Sequence, residues 1–290
     1  MTDKSQFGIG IRDIASIEEM GAVEELQREV WACGDIDVVP RMMLHPAREV
    51  GGTLVGAFDG ALLVGFAFGF VGLERGRLVL HSHMLAVKPE YRGRGVGYLL
   101  KLAQRERALA QGIAVMTWTY DPLQSRNARL NFARLGVVCD TYRLNYYGDV
   151  STSPLHSATG TDRLWVAWHL DSPRVSRKID ASSDADETAR DALERATPLV
   201  RLGADGRPEA CGLAKDVRGG LVSIEIPDDI NTLNDQNVNV ALAWRAATRI
   251  AFLGAFSEGY IAEEFFRIER EGRRCGAYLL RRASGERRND

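Results

Sequence analysis

A chain of 290 residues, 45% apolar and 26% charged, is long enough for one large domain or two ordinary ones with ample core. Its formal charge is −2, with acids and bases balanced in both halves, so composition offers no field for nucleic acid or an anionic membrane. Cys33, Cys139, Cys211 and Cys275 stand far apart without C-x-x-C spacing, which predicts reduced thiols, no metal site and a cytoplasmic protein.

The opening MTDKSQFGIG lacks the basic and apolar regions of a signal peptide. GIGIRDIAS reads as a first strand, and Ser16 with Glu19 forms a capping box before a helix with Ile17, Met20, Val23, Leu26 and Val30 on one side. The segment WACGDIDVVPRMMLHPAREVGG reads as irregular. TLVGAF and LLVGFAFGFVG are strands separated at Asp59-Gly60, a hairpin signal. The run ALLVGFAFGFVGL is too short to span a bilayer. RLVLHSHMLAV is a further strand. The helix after Gly97 shows Val96, Leu99, Leu100 and Ala103 on its apolar side, with Lys101, Gln104 and Arg105 elsewhere, and stops at Gly112. IAVMTWTY reads as a strand, SRNARLNFARLG as a short helix, VVCDTYRLNYYG and DRLWVAWHL as strands. The order is mixed α/β, antiparallel strands first and then strand–helix–strand.

Residues 171–191, DSPRVSRKIDASSDADETARD, are polar and rich in Ser and Asp, as expected of a linker. Beyond it, GLVSIEIP, YIAEEFFRI and GAYLLRR read as strands and NVALAWRAATRIAFLGAFSEG as a long helix. Residues 192–290 are either an α/β extension or a small second domain. The clustered arginines Arg273, Arg274, Arg281, Arg282, Arg287 and Arg288 read as a solvated edge and tail.

PEYRGRGVGYLL places Gly93, Gly95 and Gly97 among Arg92 and Arg94, straight before a helix. Glycines let backbone N–H groups curl around an anion, and the helix directs its positive end toward it. A Walker loop needs Lys-Ser or Lys-Thr after the glycines, and a dinucleotide fingerprint needs a third glycine where Tyr98 stands, so both fail. What remains is R-x-x-G-x-G, Arg92 to Gly97. On these residues the sequence resembles the GNAT superfamily of acyl-CoA-dependent N-acyltransferases, whose pyrophosphate loop reads [RQ]-x-x-G-x-[GA]. HSHMLAVKPEYRGRGVGYLLKLAQRERALAQG, TWTYDPLQSRNARLNFARLGV and YYG are similar to a two-part subfamily. The similarity continues in TDRLWVAWHL, IEIPDDI, AWRAATRIAF and GYIAEEFF. Some relatives are associated with succinylation of amino acids.

The resemblance implies an α/β (α+β) fold with a mixed, mostly antiparallel sheet flanked by helices. Residues 1–170 would be the catalytic domain, 171–191 a linker and 192–290 the extension. It also implies acetyl-CoA or another acyl-CoA as co-substrate, no metal, and a small-molecule amine acceptor; a homodimer is compatible with it. The arm of the co-substrate would lie where strand 83–87 parts from strand 113–119, against the backbone of Leu85, Ala86 and Val87. Arg92, Gly93, Arg94, Gly95, Val96 and Gly97 would hold the pyrophosphate, and Asn127 would touch the arm.

An attacking amine must lose a proton. His81 and His83 are two apart on a strand, so both face one side, and we read His83 as the base with His81 second. The glutamate many GNAT members carry on this strand is absent. The usual acid, a tyrosine four residues before the glycine of the next motif, is here Phe132. Tyr120 is the first substitute, with Tyr142 and Tyr146 behind it. For the acceptor, Trp118, Asp121, Asp162 and Arg163 are the candidates, Arg163 for a carboxylate and Asp162 for an ammonium group. Arg245 and Arg249, one helical turn apart, are expected to bridge to acids such as Glu258 or Glu263. A rival reading is an acyl-CoA-binding sensor that has lost its chemistry.

Overall fold

Twelve strands and eight α-helices are found among residues 8–32, 34–148, 159–180 and 187–283, which are those the computed structural model describes. Cys33, residues 181–186 of the expected linker, Arg287 and Arg288 lie outside them. Two compact units are present, one holding 8–118 and 168–172, the other 119–148, 159–167 and 173–283.

In the first unit, β1 (Ile9–Asp13), β2 (Thr53–Asp59), β3 (Leu62–Glu74) and β4 (Arg77–Val87) are successive antiparallel neighbours. The strand β5 (Val115–Tyr120), four residues of which belong to this unit, runs parallel to β4. The β3–β4 hairpin closes through Arg75 (φ 50°) and Gly76 (φ 80°), the left-handed pair that matches strand twist in a two-residue turn. The helix α1 (Ile17–Trp31) starts as expected, with Ser16 accepting from the Glu19 N–H. Its Met20, Val23 and Leu26 pack with Phe58, Phe66 and Phe68, while Val96, Leu100 and Ala103 of α3 (Val96–Ala110) pack with Val55, Val64 and Val87. Burying each such side chain stabilises the fold by about 1.5–3 kcal/mol.

The segment read as irregular contains α2 (Arg41–Glu49). Its two prolines hide it from a pattern reading, but Pro40 is the cap and Pro46 costs a single helical bond, while Leu44 and Ala47 are buried.

In the second unit the strands run β7 (Arg163–His169, whose first five residues belong to this unit), β6 (Val138–Arg143), β11 (Tyr260–Arg270), β12 (Arg273–Arg282), β10 (Leu221–Pro227), β8 (Thr197–Leu202) and β9 (Pro208–Ala210). The pairs are antiparallel except β8 with β10. The expected short helix is α4 (Ser125–Ala128) continued by a π-helical stretch, Arg129–Leu135. The long helix α8 (Val238–Ser257) follows α7 (Ile230–Gln236) and buries Trp244 and Phe252. Residues 171–191 are not simply a polar connector. They include α5 (Pro173–Asp180) and the start of α6 (Glu187–Glu194). Their charge serves a purpose inside the fold: Arg174 and Lys178 pair with the buried Glu264 at 3.0 and 2.8 Å.

Candidate active site

The loop after β4 has the geometry its glycines predict. Gly93 and Gly95 sit at φ 78° and 79°, a region costing a side-chain-bearing residue about 1–2 kcal/mol. Gly95 is the cap of α3, and no side chain caps that helix end, so its first N–H groups are available to an anion. Arg92, Gly93, Arg94 and Gly95 are exposed, Gly97 half-buried and Val96 buried. The guanidinium of Arg92 donates back to the Val87 carbonyl at 3.1 Å, tying the loop to the strand end. That of Arg94 lies over the Tyr91 ring at 5.2 Å.

Upstream, β4 and β5 part. Their pairing is confined to Leu80 with Met116 and His81 with Thr117. Beyond it, Leu85, Ala86 and Val87 pair with β3 alone, so one edge of their backbone faces the gap. The parting coincides with a bulge: Phe68 faces Met84 and Gly69 faces Ser82, leaving His83 as the extra residue. Bulges bend a strand and re-aim its side chains. A strict two-residue alternation does not foresee this.

The rings of His81 and His83 lie 6.4 Å apart, and both contact Phe70, at 5.4 and 5.8 Å. His81 shares a hydrogen bond of 3.0 Å between Nδ1 and the Thr117 hydroxyl. Burial, helped by His83 and Lys101, holds its pKa down to about 4. His83 is exposed by area, yet the Phe68 and Phe70 rings screen its imidazole from water and lower its pKa too. Both imidazoles are therefore neutral near pH 7, the form that accepts a proton.

Lys101 and Gln104, which periodicity places off the apolar side of α3, are both buried. Lys101 Nζ donates to Ser82 Oγ at 2.7 Å, Ser82 to Gln104 Oε1 at 2.7 Å, and Gln104 to Thr53 Oγ1 at 3.0 Å. This polar chain explains Gly69, where a Cβ would come within 3.0 Å of the His81 carbonyl and 3.3 Å of Gln104 Nε2. Among the described residues no carboxylate joins these bonds, and burial pushes the Lys101 amine well below its usual pKa. The lysine has a ring instead, that of Trp118, 3.7 Å from Nζ. Trp118, a candidate for acceptor contact, is 5% exposed and also stacks edge-on with Trp168; it is a core residue of the first unit.

The other candidates lie in the second unit. Asp121 is gripped through both oxygens by Arg245 Nη2, at 2.8 and 2.7 Å, and accepts from the Leu123 N–H. Asp162 is fully buried and takes hydrogen bonds from Arg249, the Tyr142 hydroxyl and the Asn145 N–H. Burial alone would raise its pKa, and these bonds outweigh burial and leave it below the usual value. Asp162 is thus a structural anion and has no face left for a substrate ammonium. The acids that meet Arg245 and Arg249 are Asp121, just after β5, and Asp162, just before β7, rather than Glu258 or Glu263. Glu258 and Glu263 pair with Arg282 and Arg281.

Tyr120 is buried, its hydroxyl 3.0 Å from that of Tyr278, which donates to the Pro122 carbonyl at 2.6 Å. Burial and Tyr278 push its pKa well up, so Tyr120 is a core hydroxyl rather than an accessible acid. Tyr142 is committed to Asp162, and Phe132 is fully buried against Tyr278. Tyr146 and Asn127 are exposed. A cavity of about 240 Å³ in this unit is lined by Arg190, Arg201, Ser223, Glu225 and Arg270 among others and contains none of the candidates. Among the described residues no cluster of His, Cys, Asp or Glu could hold a metal, and no helix is long and apolar enough to cross a membrane.

Residues 21–137 match the acetyltransferase (GNAT) family. This part of the chain is a GNAT acetyltransferase domain, an enzyme domain, followed by a further C-terminal region. Among solved structures, the ribosomal-protein-S18-alanine N-acetyltransferase of Escherichia coli matches at 16% identity and TM-score 0.45, covering 57% of this chain and 95% of its own. A proposed acetyltransferase from Salmonella typhimurium, solved with its cofactor acetyl-CoA, matches at 17% and 0.44, covering 57% and 95%. A GNAT-family acetyltransferase from Streptococcus pneumoniae matches at 15% and 0.44, covering 55% and 97%. No curated protein matches the chain.

Proposed function

We propose that the protein moves an acetyl or succinyl group from its CoA thioester to the amine of a small molecule, amino acids included, by direct attack in a ternary complex. The observation that carries this reading is the parting of β4 from β5 at His81 and Thr117, followed by the bulge at His83 and the left-handed glycine loop at an uncapped helix end. In it, amides of Arg92–Gly97 hold the pyrophosphate, and the free backbone edge of Leu85, Ala86 and Val87 lines the pantetheine. One of its N–H groups polarises the thioester carbonyl. Asn127 is a further contact to the arm.

His83 takes the proton of the attacking amine, with His81 second, and the nitrogen–carbon bond forms as the carbon–sulfur bond breaks. The thiol has an ordinary pKa near 8.5 and leaves readily as thiolate, so a chain with Phe132 at the usual acid position needs no dedicated donor. Cytoplasmic residence remains part of this reading. The sensor reading is favoured by one observation, the burial of both Tyr120 and Phe132. Thiol release from acetyl-CoA and succinyl-CoA across a panel of D- and L-amino acids and other amines separates the two. Binding of CoA without turnover of any acceptor would establish the sensor. Substituting His83→Gln should lower kcat most at low pH, and an unchanged pH profile would remove His83 from the mechanism.

A further inference from the structure

Arg163 opens β7 and is only 9% exposed. A guanidinium that far from water normally meets a carboxylate, since an unpaired buried charge is expensive. Arg163 meets none. Its Nη1 donates to the backbone carbonyl of Asp162 at 2.9 Å, and its charge lies 5.2 Å from the Tyr147 ring centre. Its Nε and Nη2 have no hydrogen-bond partner among the described residues, and neither is sealed from solvent. One edge of a planar donor fork is therefore anchored, and its other donors are open.

Asp121 and Asp162 attract it through space, but neither forms an ion pair with it. Asp121 and Asp162 each have an arginine of their own, Arg245 and Arg249. The group of three arginines and two acids thus keeps one positive charge. Arg245 adds a second signal. It is 2% exposed, gives Nε to the Thr159 carbonyl and Nη2 to Asp121, yet its buried Nη1 has no hydrogen-bond partner among the described residues. Two nearly buried guanidinium groups of one charge cluster thus each have donors unused.

We propose that the second unit carries a binding site for a small organic carboxylate, held by the open edge of Arg163 with Tyr147 forming one wall. A carboxylate suits the site because a planar two-oxygen anion accepts two parallel N–H groups from one arginine. The excess charge of the cluster then falls to zero in a low-dielectric setting, where pairing is strong. Asp121 does not repel it, being occupied through both oxygens by Arg245. The site stands on these contacts alone and does not require acyl transfer.

The test is isothermal titration of the full chain, without acyl-CoA, using succinate, glutamate and alanine as probes. Each is compared with the compound in which every carboxylate is replaced by a carboxamide. Saturable binding of at least one carboxylate, lost on conversion to the amide, is expected. Arg163→Lys keeps the charge but loses the fork and should weaken binding at least tenfold; Arg163→Gln should abolish it. Arg163 makes one backbone hydrogen bond, so both variants should fold, and the amide comparison uses the natural protein in any case. Absence of carboxylate binding, equal binding of acid and amide, or unchanged affinity in Arg163→Gln would each overturn the proposal. CoA binding measured on the same samples reports separately on the acyl-transfer reading.

Discussion

Lowering the pH should loosen the first unit through His81, by an amount the structure allows to be worked out. Its pKa of about 4 in the fold compares with an ordinary 6.5 in the unfolded chain. Between these values the unfolded chain binds a proton that the folded chain refuses, so stability is present above pH 6.5 and is lost as pH falls toward 4. At about 1.4 kcal/mol per pH unit, the full loss is about 3 kcal/mol, of which about 2 kcal/mol is already gone at pH 5. Urea unfolding of the natural protein and of His81→Asn, at pH 7 and pH 5, isolates this contribution. The asparagine amide can keep the bond to Thr117 while removing the titration. Trp118 and Trp168, in edge contact within the same unit, supply the fluorescence signal. The natural protein should lose about 2 kcal/mol more than the variant between the two pH values. Equal losses would refute the argument that burial beside Phe70 keeps this imidazole neutral.

Gly95→Ala should strain the cap of α3 by about 1–2 kcal/mol and weaken CoA binding, read by titration; loss of a single charge-assisted contact, about 1.5 kcal/mol, corresponds to roughly tenfold. Lys101→Met removes a buried amine that no carboxylate among the described residues compensates, and should raise stability by about 1 kcal/mol, seen as a higher thermal midpoint; a lower one would mean that the bond to Ser82 outweighs desolvation. Arg249→Ala leaves the buried Asp162 with Tyr142 and Asn145 alone and should cost about 2–3 kcal/mol in denaturant unfolding.

Much of the fold is written locally. The Ser16–Glu19 cap, the alternating strands and the glycines at 93 and 95 depend on near neighbours along the chain. The same holds for the long apolar helix 238–257, and these elements stand where the sequence places them. The glycine loop was legible for the same reason: left-handed backbone before a helix is a local demand, and only glycine meets it cheaply. Local signals fail where a distant partner decides. Residues 171–191 look solvated because Arg174 and Lys178 are charged, yet both end on a buried glutamate 86 and more residues away. The prolines of 31–52 mask a helix whose two buried residues hold it in place.

The site divides along the same line. That His81 and His83 share a neighbourhood follows from their spacing, but the bulge that sets His83 apart arises from pairing with β3 across a hairpin. No periodicity announces it. Asp162 and Arg163 were equally plausible as substrate contacts, being adjacent charged residues at a strand start. Tertiary structure separates them: Arg249, Tyr142 and Asn145 consume every useful acceptor of Asp162, while among the described residues no acid pairs with Arg163. The sequence by itself determined the left-handed glycine loop before α3 and its likeness to an acyl-CoA loop, because backbone geometry there is a property of the residues in place. Only the tertiary structure decided which charges are spent and which remain, because an ion pair depends on what the rest of the chain brings within about 3 Å of it.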